Sequence, residues 1–142
     1  MANDPIIAPL EAAVHRVLDH LAAELADLGL RQPEINLLAQ LEAGRPRPVG
    51  RLVAATGQRP STLTGVLDRL ERKRLVRRRL NAADRRSFTI ELTAAGEAAA
   101  ARVHAAFAAF DASVRDDLPA AAIDGFNHVL DAIERHTTEK KT

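Results

Sequence analysis

"RPSTLTGVLDRLERKRLVRRRLNAADRRSFTIELT", residues 59–93, decides how the rest of this chain is read. Residues 59–73 predict a helix with Pro60 near its start. At 100° per residue, Leu63, Val66, Leu67 and Leu70 share one side. The opposite side carries Ser61, Gly65, Asp68 and Arg72, flanked by Thr62, Thr64 and Arg69. The helix therefore has an apolar seam and an outer face of hydroxyls, one glycine and arginines. Upstream, "VGRLVAATG" (49–57) reads as a short helix that stops at Gly57. The tight turn "GQR" joins the two, which is the sequence form of a helix-turn-helix. Downstream, "LVRRRL" (75–80) reads as a strand. "FTIELT" (88–93) alternates, with Phe88, Ile90 and Leu92 on one side and Thr89, Glu91 and Thr93 on the other. The turn "NAADRRS" makes these a β-hairpin, and a hairpin directly behind a helix-turn-helix is a wing.

Charge concentrates in the same region. The 142-residue chain has a net charge of only +1. Yet residues 51–86 hold eleven Lys/Arg against Asp68, Glu71 and Asp84, a local excess of +8. A block this basic in an otherwise acidic protein points to contact with a polyanion; a solvated helix face with loose ion pairing is the alternative.

Helices flank this lobe. Residues 5–28 predict one, with Asp4 able to cap it, Pro5 in its first position, and Leu10, Val14, Val17, Leu21, Leu25 and Leu28 on one stripe. Pro33 and Glu34 open a second, with Ile35, Leu38 and Leu41 inward, and "EAGRPRP" (42–48) is a break. Thr93 can cap the helix after the wing, with Glu97 near its positive end. Val103, Phe107, Phe110 and Val114 line that helix; after a turn at Asp117 and Pro119, Ile123, Phe126, Leu130 and Ile133 line a last one. Long apolar stripes beside alanine-rich cores are most economically covered by a second copy of the chain, with a monomeric bundle as the alternative. The expected fold is mostly α with a small β-wing. A winged helix-turn-helix lobe spans 31–93, and a discontinuous helical dimerisation region spans 5–30 and 94–138.

Several function classes fall away. With no Cys, disulfides, thiolate zinc sites and cysteine nucleophiles are excluded. Phe88, Phe107, Phe110 and Phe126 are the only aromatics, too few for a base-stacking platform. His15, His20, His104, His128 and His136 show no recognised metal spacing, so neither metal nor cofactor is expected. Phosphate-binding glycine loops, paired acid/base carboxylates and nucleophile–base pairs are not found, which argues against an enzyme. The N-terminus lacks the pattern of a signal peptide and no apolar run is long enough to span a bilayer, so a cytoplasmic protein without a membrane partner is expected.

The chain resembles the MarR family of winged-helix regulators. The resemblance rests on "STLTGVLDRLERK" (61–73), "LVRR" (75–78) and above all "DRRSFTIELTAAG" (84–96), which matches the family's Asp-x-Arg wing followed by Leu-Thr-x-x-Gly. Helix order and length match over residues 5–138. What the resemblance implies is a homodimer that binds double-stranded DNA, with helix 60–73 in the major groove. Arg59, Pro60, Ser61, Thr62, Thr64, Gly65, Arg69 and Arg72 are the candidate contacts of that helix. Gly65 allows either close approach to DNA or close packing on a neighbouring helix. Arg77, Arg79, Asp84, Arg85 and Arg86 are the candidate wing residues. Arg86 matches the family's wing arginine and suits a narrow, negative minor groove. The resemblance has Asp84 orienting that arginine through an ion pair; an Asx-type turn bond is the compatible alternative. Members often bind small, commonly aromatic or phenolic effectors between dimer helices and lobe, and His15, Arg16 and His104 are candidates for reaching such a pocket. One departure stands out: Arg74 occupies the position where the family usually has glycine. Either Arg74 adopts a left-handed conformation at a cost of about 1–2 kcal/mol or the chain leaves the helix differently.

The function expected on these grounds is a ligand-responsive repressor binding a pseudo-palindromic operator as a homodimer. A sequence-tolerant architectural DNA-binding protein and a module for an acidic protein partner are the alternatives.

Overall fold

The computed structural model describes residues 3–138. The chain divides into two compact units, one ending at Phe107 and the other beginning at Ala108. The first contains α1 (Ile7–Glu24), a 3-10 turn (Ala26–Leu28), α2 (Gln32–Leu38), β1 (Arg47–Pro48), α3 (Val49–Thr56), α4 (Pro60–Arg72), β2 (Val76–Leu80) and β3 (Phe88–Leu92). It also contains the first part of α5 (Ala94–Asp116), and α6 (Ala120–Thr138) lies in the second.

The helix-turn-helix and wing form as the pattern predicts. Gly57 ends α3 with a left-handed φ of 65°, a conformation glycine adopts without a Cβ clash. Leu63, Val66, Leu67 and Leu70 of α4 are buried, each contributing about 1.5–3 kcal/mol relative to exposure. They share one core with Leu25, Ile35, Leu37, Leu38, Leu41, Leu52, Val76, Ile90, Leu92 and Val103. The hairpin pairs Val76 with Leu92, Arg78 with Ile90 and Leu80 with Phe88. Only the half of the hairpin nearest the core is covered: Ile90 is fully buried, whereas Phe88, on the same face, is 44% exposed.

Two features differ from expectation. The sheet has three strands in the order β1-β3-β2, because Arg47 and Pro48 pair with Ile90 and Thr89 inside what reads as a break. A two-residue strand containing proline has no alternation to detect, and proline is tolerated there because β1 is an edge. The first helix begins at Ile7 with Ile6 as its N-cap and no side-chain cap, so Asp4 does not cap it. Pro9 explains the shift. A helix starting at Pro5 would demand an intrahelical N–H from Pro9; starting at Ile7 places Pro9 in the first turn, where no N–H is needed.

Arg74 resolves the departure noted in the sequence: its φ is +58°, the left-handed conformation. Leu75 N–H donates to the Leu70 carbonyl (3.0 Å) and Arg74 N–H to that of Glu71 (2.8 Å). Together these form the Schellman closure of α4. The next helix locks onto that closure. Thr93 Oγ1 donates to the Arg74 carbonyl (2.6 Å) and accepts from Gly96 N–H (3.0 Å), while Thr93 N–H donates to the Leu75 carbonyl (3.0 Å). A Cβ at Gly96 would collide with the Leu75 carbonyl, which accounts physically for glycine at that position. Arg74→Gly is expected to raise folding stability by about 1 kcal/mol, by relieving the left-handed strain net of glycine's larger unfolded-state entropy. A urea unfolding midpoint that does not rise would show that Arg74 is unstrained.

Of α6, no described residue is buried, and Phe126 and Leu130 are 50% and 41% exposed. Ile7 and Val14 of α1 are also exposed. Among the described residues, no helix is long and apolar enough to cross a membrane.

Candidate nucleic-acid interface

The outer face of α4 begins at Arg59, its extended N-cap, followed by Pro60. No side chain caps this end and no acidic residue lies in the first turn, so its N–H groups and partial positive charge remain open to an anion. Arg59, Ser61, Thr62 and Thr64 are exposed. Thr64 Oγ1 donates back to the Pro60 carbonyl (3.0 Å), which leaves its oxygen lone pairs for a donor group. The only heavy atom near a Cβ built on Gly65 is Nη1 of Arg69 at 3.6 Å. Close packing on a neighbouring helix is therefore not the reason for this glycine.

The structure sorts the arginines of the basic block into two groups. Several are held by the chain's own carboxylates, although Arg77 and Arg79 stay more than half exposed. Glu34, fully buried, accepts from Arg69 Nε (2.9 Å), Lys73 Nζ (2.8 Å) and Arg31 N–H (3.1 Å). Burial pushes its carboxyl up, but the hydrogen bonds from Lys73, Arg31 and Arg69 outweigh that and hold it below the usual glutamate value. Arg69, expected on the DNA side, is thus drawn inward by an acceptor 35 residues away. Arg77 and Arg79 share Glu91 Oε1 at 2.6 and 2.7 Å. Arg78 bridges Asp68 (2.8 Å) and Glu71 (2.6 Å) and so ties β2 to α4. These side chains hold the wing root and the helix together. The other group is exposed. Arg72 bonds only the Asp68 carbonyl, at 3.4 Å, which leaves its charge uncompensated. Among the described residues, Arg59, Arg85 and Arg86 have no ion-pair partner.

The wing tip is shaped by two local turns. Ala83 N–H donates to Asn81 Oδ1 (3.1 Å) and Arg86 N–H to Asp84 Oδ1 (3.0 Å). Ser87 closes the loop by donating both N–H and Oγ–H to the Asp84 carbonyl, at 3.1 Å each. Asp84 therefore acts through an Asx turn. Among the described residues it forms no ion pair with the Arg86 guanidinium, because the carboxylate is already turned toward the backbone. Arg85 and Arg86 stand exposed at the tip.

The winged lobe with a basic helix face has known counterparts. The MarR family model matches residues 28–87. AbsC of Streptomyces coelicolor, a MarR family transcriptional regulator, is 27% identical over 92% of this chain and 91% of its own, with a TM-score of 0.76. Over residues 28–87 the chain is similar to the MarR family. The MarR fold is also shared with MepR of S. aureus in its DNA-binding conformation (18% identity, 92% of this chain and 96% of that one, TM-score 0.81). BpsR of Bordetella bronchiseptica, whose DNA binding is regulated by 6-hydroxynicotinic acid, matches at 22% identity over 89% of this chain and 96% of its own (TM-score 0.72). No curated protein matches the chain by sequence. MarR family members are winged-helix DNA-binding transcription regulators.

His15 and Arg16 are exposed on α1 and His104 is half-buried on α5. None of them lines the pocket of about 130 Å³ formed by Asn36, Ala39, Gln40, Ala55, Thr56 and Phe107. Among the described residues, no cluster of three potential metal ligands occurs. The sequence reading passed over a second basic feature, an open groove of about 330 Å³ lined by Glu42, Arg45, Arg47, Pro48 and Arg51. Its signal was the alternation of arginine and proline in "GRPRPVGR", which reads as loop punctuation until β1 is seen.

Proposed function

We propose that this protein is a homodimeric, ligand-responsive transcriptional repressor that binds a pseudo-palindromic operator through the start of α4 and the tip of the wing. One observation carries the reading. Of the six arginines of the basic block without an ion pair among the described residues, four, Arg59, Arg72, Arg85 and Arg86, lie on α4 or the wing tip, while Arg51 lies on α3 and Arg74 just after α4. Arg59, Ser61 and Thr62 supply donors for phosphates and base edges in the major groove, Thr64 offers an acceptor to a base-edge donor, and Gly65 lets the helix backbone approach closely. Arg85 and Arg86 enter the adjacent minor groove. Arg69, Arg77 and Arg79 position these elements and are left out of the contact set, as is Asp84, which shapes the wing tip.

Residues 31–93 then form the DNA-binding lobe, and residues 5–30 and 94–138 pair with a second chain. The exposed apolar residues of α1, and α6, none of whose described residues is buried, support that pairing. Two lobes related by a twofold axis imply half-sites about 10 bp apart. A small effector, by analogy with the ligand-regulated BpsR, would act by favouring a lobe spacing that no longer fits the operator. His15, Arg16 and His104 remain the candidates to contact it, and the site of action is the cytoplasm.

Arg86→Ala is expected to cost about 1–3 kcal/mol of operator affinity while leaving the fold intact. Site selection with the purified protein, followed by gel shift of wild type and variant on the recovered site, measures this. Unchanged binding rejects the wing assignment, and diffuse protection in place of a discrete palindrome favours an architectural binder.

A further inference from the structure

The groove beside β1 has more positive charge than the chain itself uses. Three guanidinium groups line it, from Arg45, Arg47 and Arg51, against the single carboxylate of Glu42. Glu42 is paired with Arg45 at 3.1 Å. Arg47 donates Nη1 to the Gln40 carbonyl (3.2 Å), a neutral acceptor that fixes the side chain without cancelling its charge. Arg51 is exposed and has no ion-pair partner among the described residues. Two uncompensated guanidiniums therefore face one concavity. The first turn of α3 brings neither an acidic residue nor a side-chain cap to offset them.

Sheet register places this groove relative to the wing. β1 runs antiparallel to β3, with Arg47 opposite Ile90 and Pro48 opposite Thr89. The chain leaving β1 into α3 therefore emerges toward Phe88, at the end of the sheet that carries the 81–87 turn. Arg51 lies on the first turn of that helix. The other end of α3 leads through Gly57 and Gln58 into Arg59, the start of α4.

From this juxtaposition we infer that the Arg47–Arg51 groove is a third DNA contact, a clamp for backbone phosphate separate from the recognition helix and the wing. The inference rests on the DNA-binding reading above and adds to it a contact that carries no sequence information. Guanidinium groups match phosphate oxygens through paired N–H donors. A concavity that holds two of them, next to an open helix end, suits a phosphodiester better than a base edge. The groove thereby fixes the orientation of the lobe on the duplex, while α4 and the wing tip supply base and groove-shape readout.

The test uses the full-length protein and a duplex carrying its selected site. Arg51→Gln removes one guanidinium per chain from an exposed position and spares the core. Arg47→Gln is the companion variant, read only if its unfolding midpoint matches wild type. For Arg51→Gln the slope of log affinity against log salt is expected to become shallower by about 1 per lobe, or about 2 for a dimer. Specific and random duplexes should lose affinity by the same factor. Phosphate-ethylation interference should lose a discrete set of phosphates that wild type requires. An unchanged slope and interference pattern overturns the clamp, as does an altered base preference, which would put Arg51 over a base edge. Failure of the wild-type protein to bind any duplex overturns the DNA reading itself, and the clamp with it; this outcome is separable from the others because it appears before any variant is made.

Discussion

Replacing Arg69 and Lys73 together by methionine is expected to lower folding stability by about 3–5 kcal/mol. The reason is the state in which it leaves Glu34. That carboxylate is fully buried, with two cations and one backbone N–H as its hydrogen-bond donors. Methionine preserves much of the apolar stem volume of each cation, so the loss is chiefly that of the charge, together with the Lys73 Nζ bond to the Gly29 carbonyl. With only the Arg31 N–H remaining, desolvation dominates and the carboxyl rises above its unfolded value. The pH dependence then changes sign. In wild type the folded value is depressed, so Glu34 contributes stability that is present above the unfolded value and lost as pH falls through the folded one. In the variant the folded value is raised, so stability is present below the unfolded value and lost as pH rises. The gap between the two proteins should be wide near about pH 7 and close in acid. Adding Glu34→Gln to the double variant should recover much of the loss, since a neutral amide is cheaper to bury. Equal unfolding midpoints at neutral pH would show that the cluster contributes nothing.

Duplex affinity should fall by about three orders of magnitude or more when salt rises from roughly 50 to 200 mM. Arg59, Arg72, Arg85 and Arg86 carry uncompensated charge on α4 and the wing. Two lobes on one operator present twice that number, which falls within the six to ten phosphate contacts that produce such a loss. Arg78, set between two carboxylates, should add nothing to the slope, while Arg77 and Arg79 share one carboxylate, as Arg69 and Lys73 do, so each pair should add less than two unpaired arginines would. A slope half as steep, accompanied by a single-chain mass in light scattering, would show one lobe acting alone. A flat plot would point to an acidic protein partner instead of nucleic acid.

Sequence patterning revealed elements wherever periodicity and burial coincide. The four apolar residues of α4 and the alternation of Ile90 and Leu92 recur at the period of their element and are buried there. The stop at Gly57 and the cap at Thr93 depend on neighbours one to three residues away, and they too were legible. What could not be read was long-range. Nothing near Arg69 announces that its partner is Glu34, and the pairing of Arg77 and Arg79 through one carboxylate needs the hairpin register. A basic block therefore overstated the charge available at the surface. β1 was missed for the opposite reason, because a strand of two residues leaves no pattern. At Arg74 two backbone paths were compatible with the sequence, and only the observed φ chooses between them.

The lock between the end of α4 and the start of α5 bears on how the hairpin moves. With the carbonyls of Arg74 and Leu75 both occupied by Thr93, and Gly96 seated against Leu75, both strands are anchored at one base. Bending there would break several bonds together, whereas the 81–87 tip is held by turns within itself. The finger is thus stiff at the knuckle, so the hand that carries it sets where the nail points.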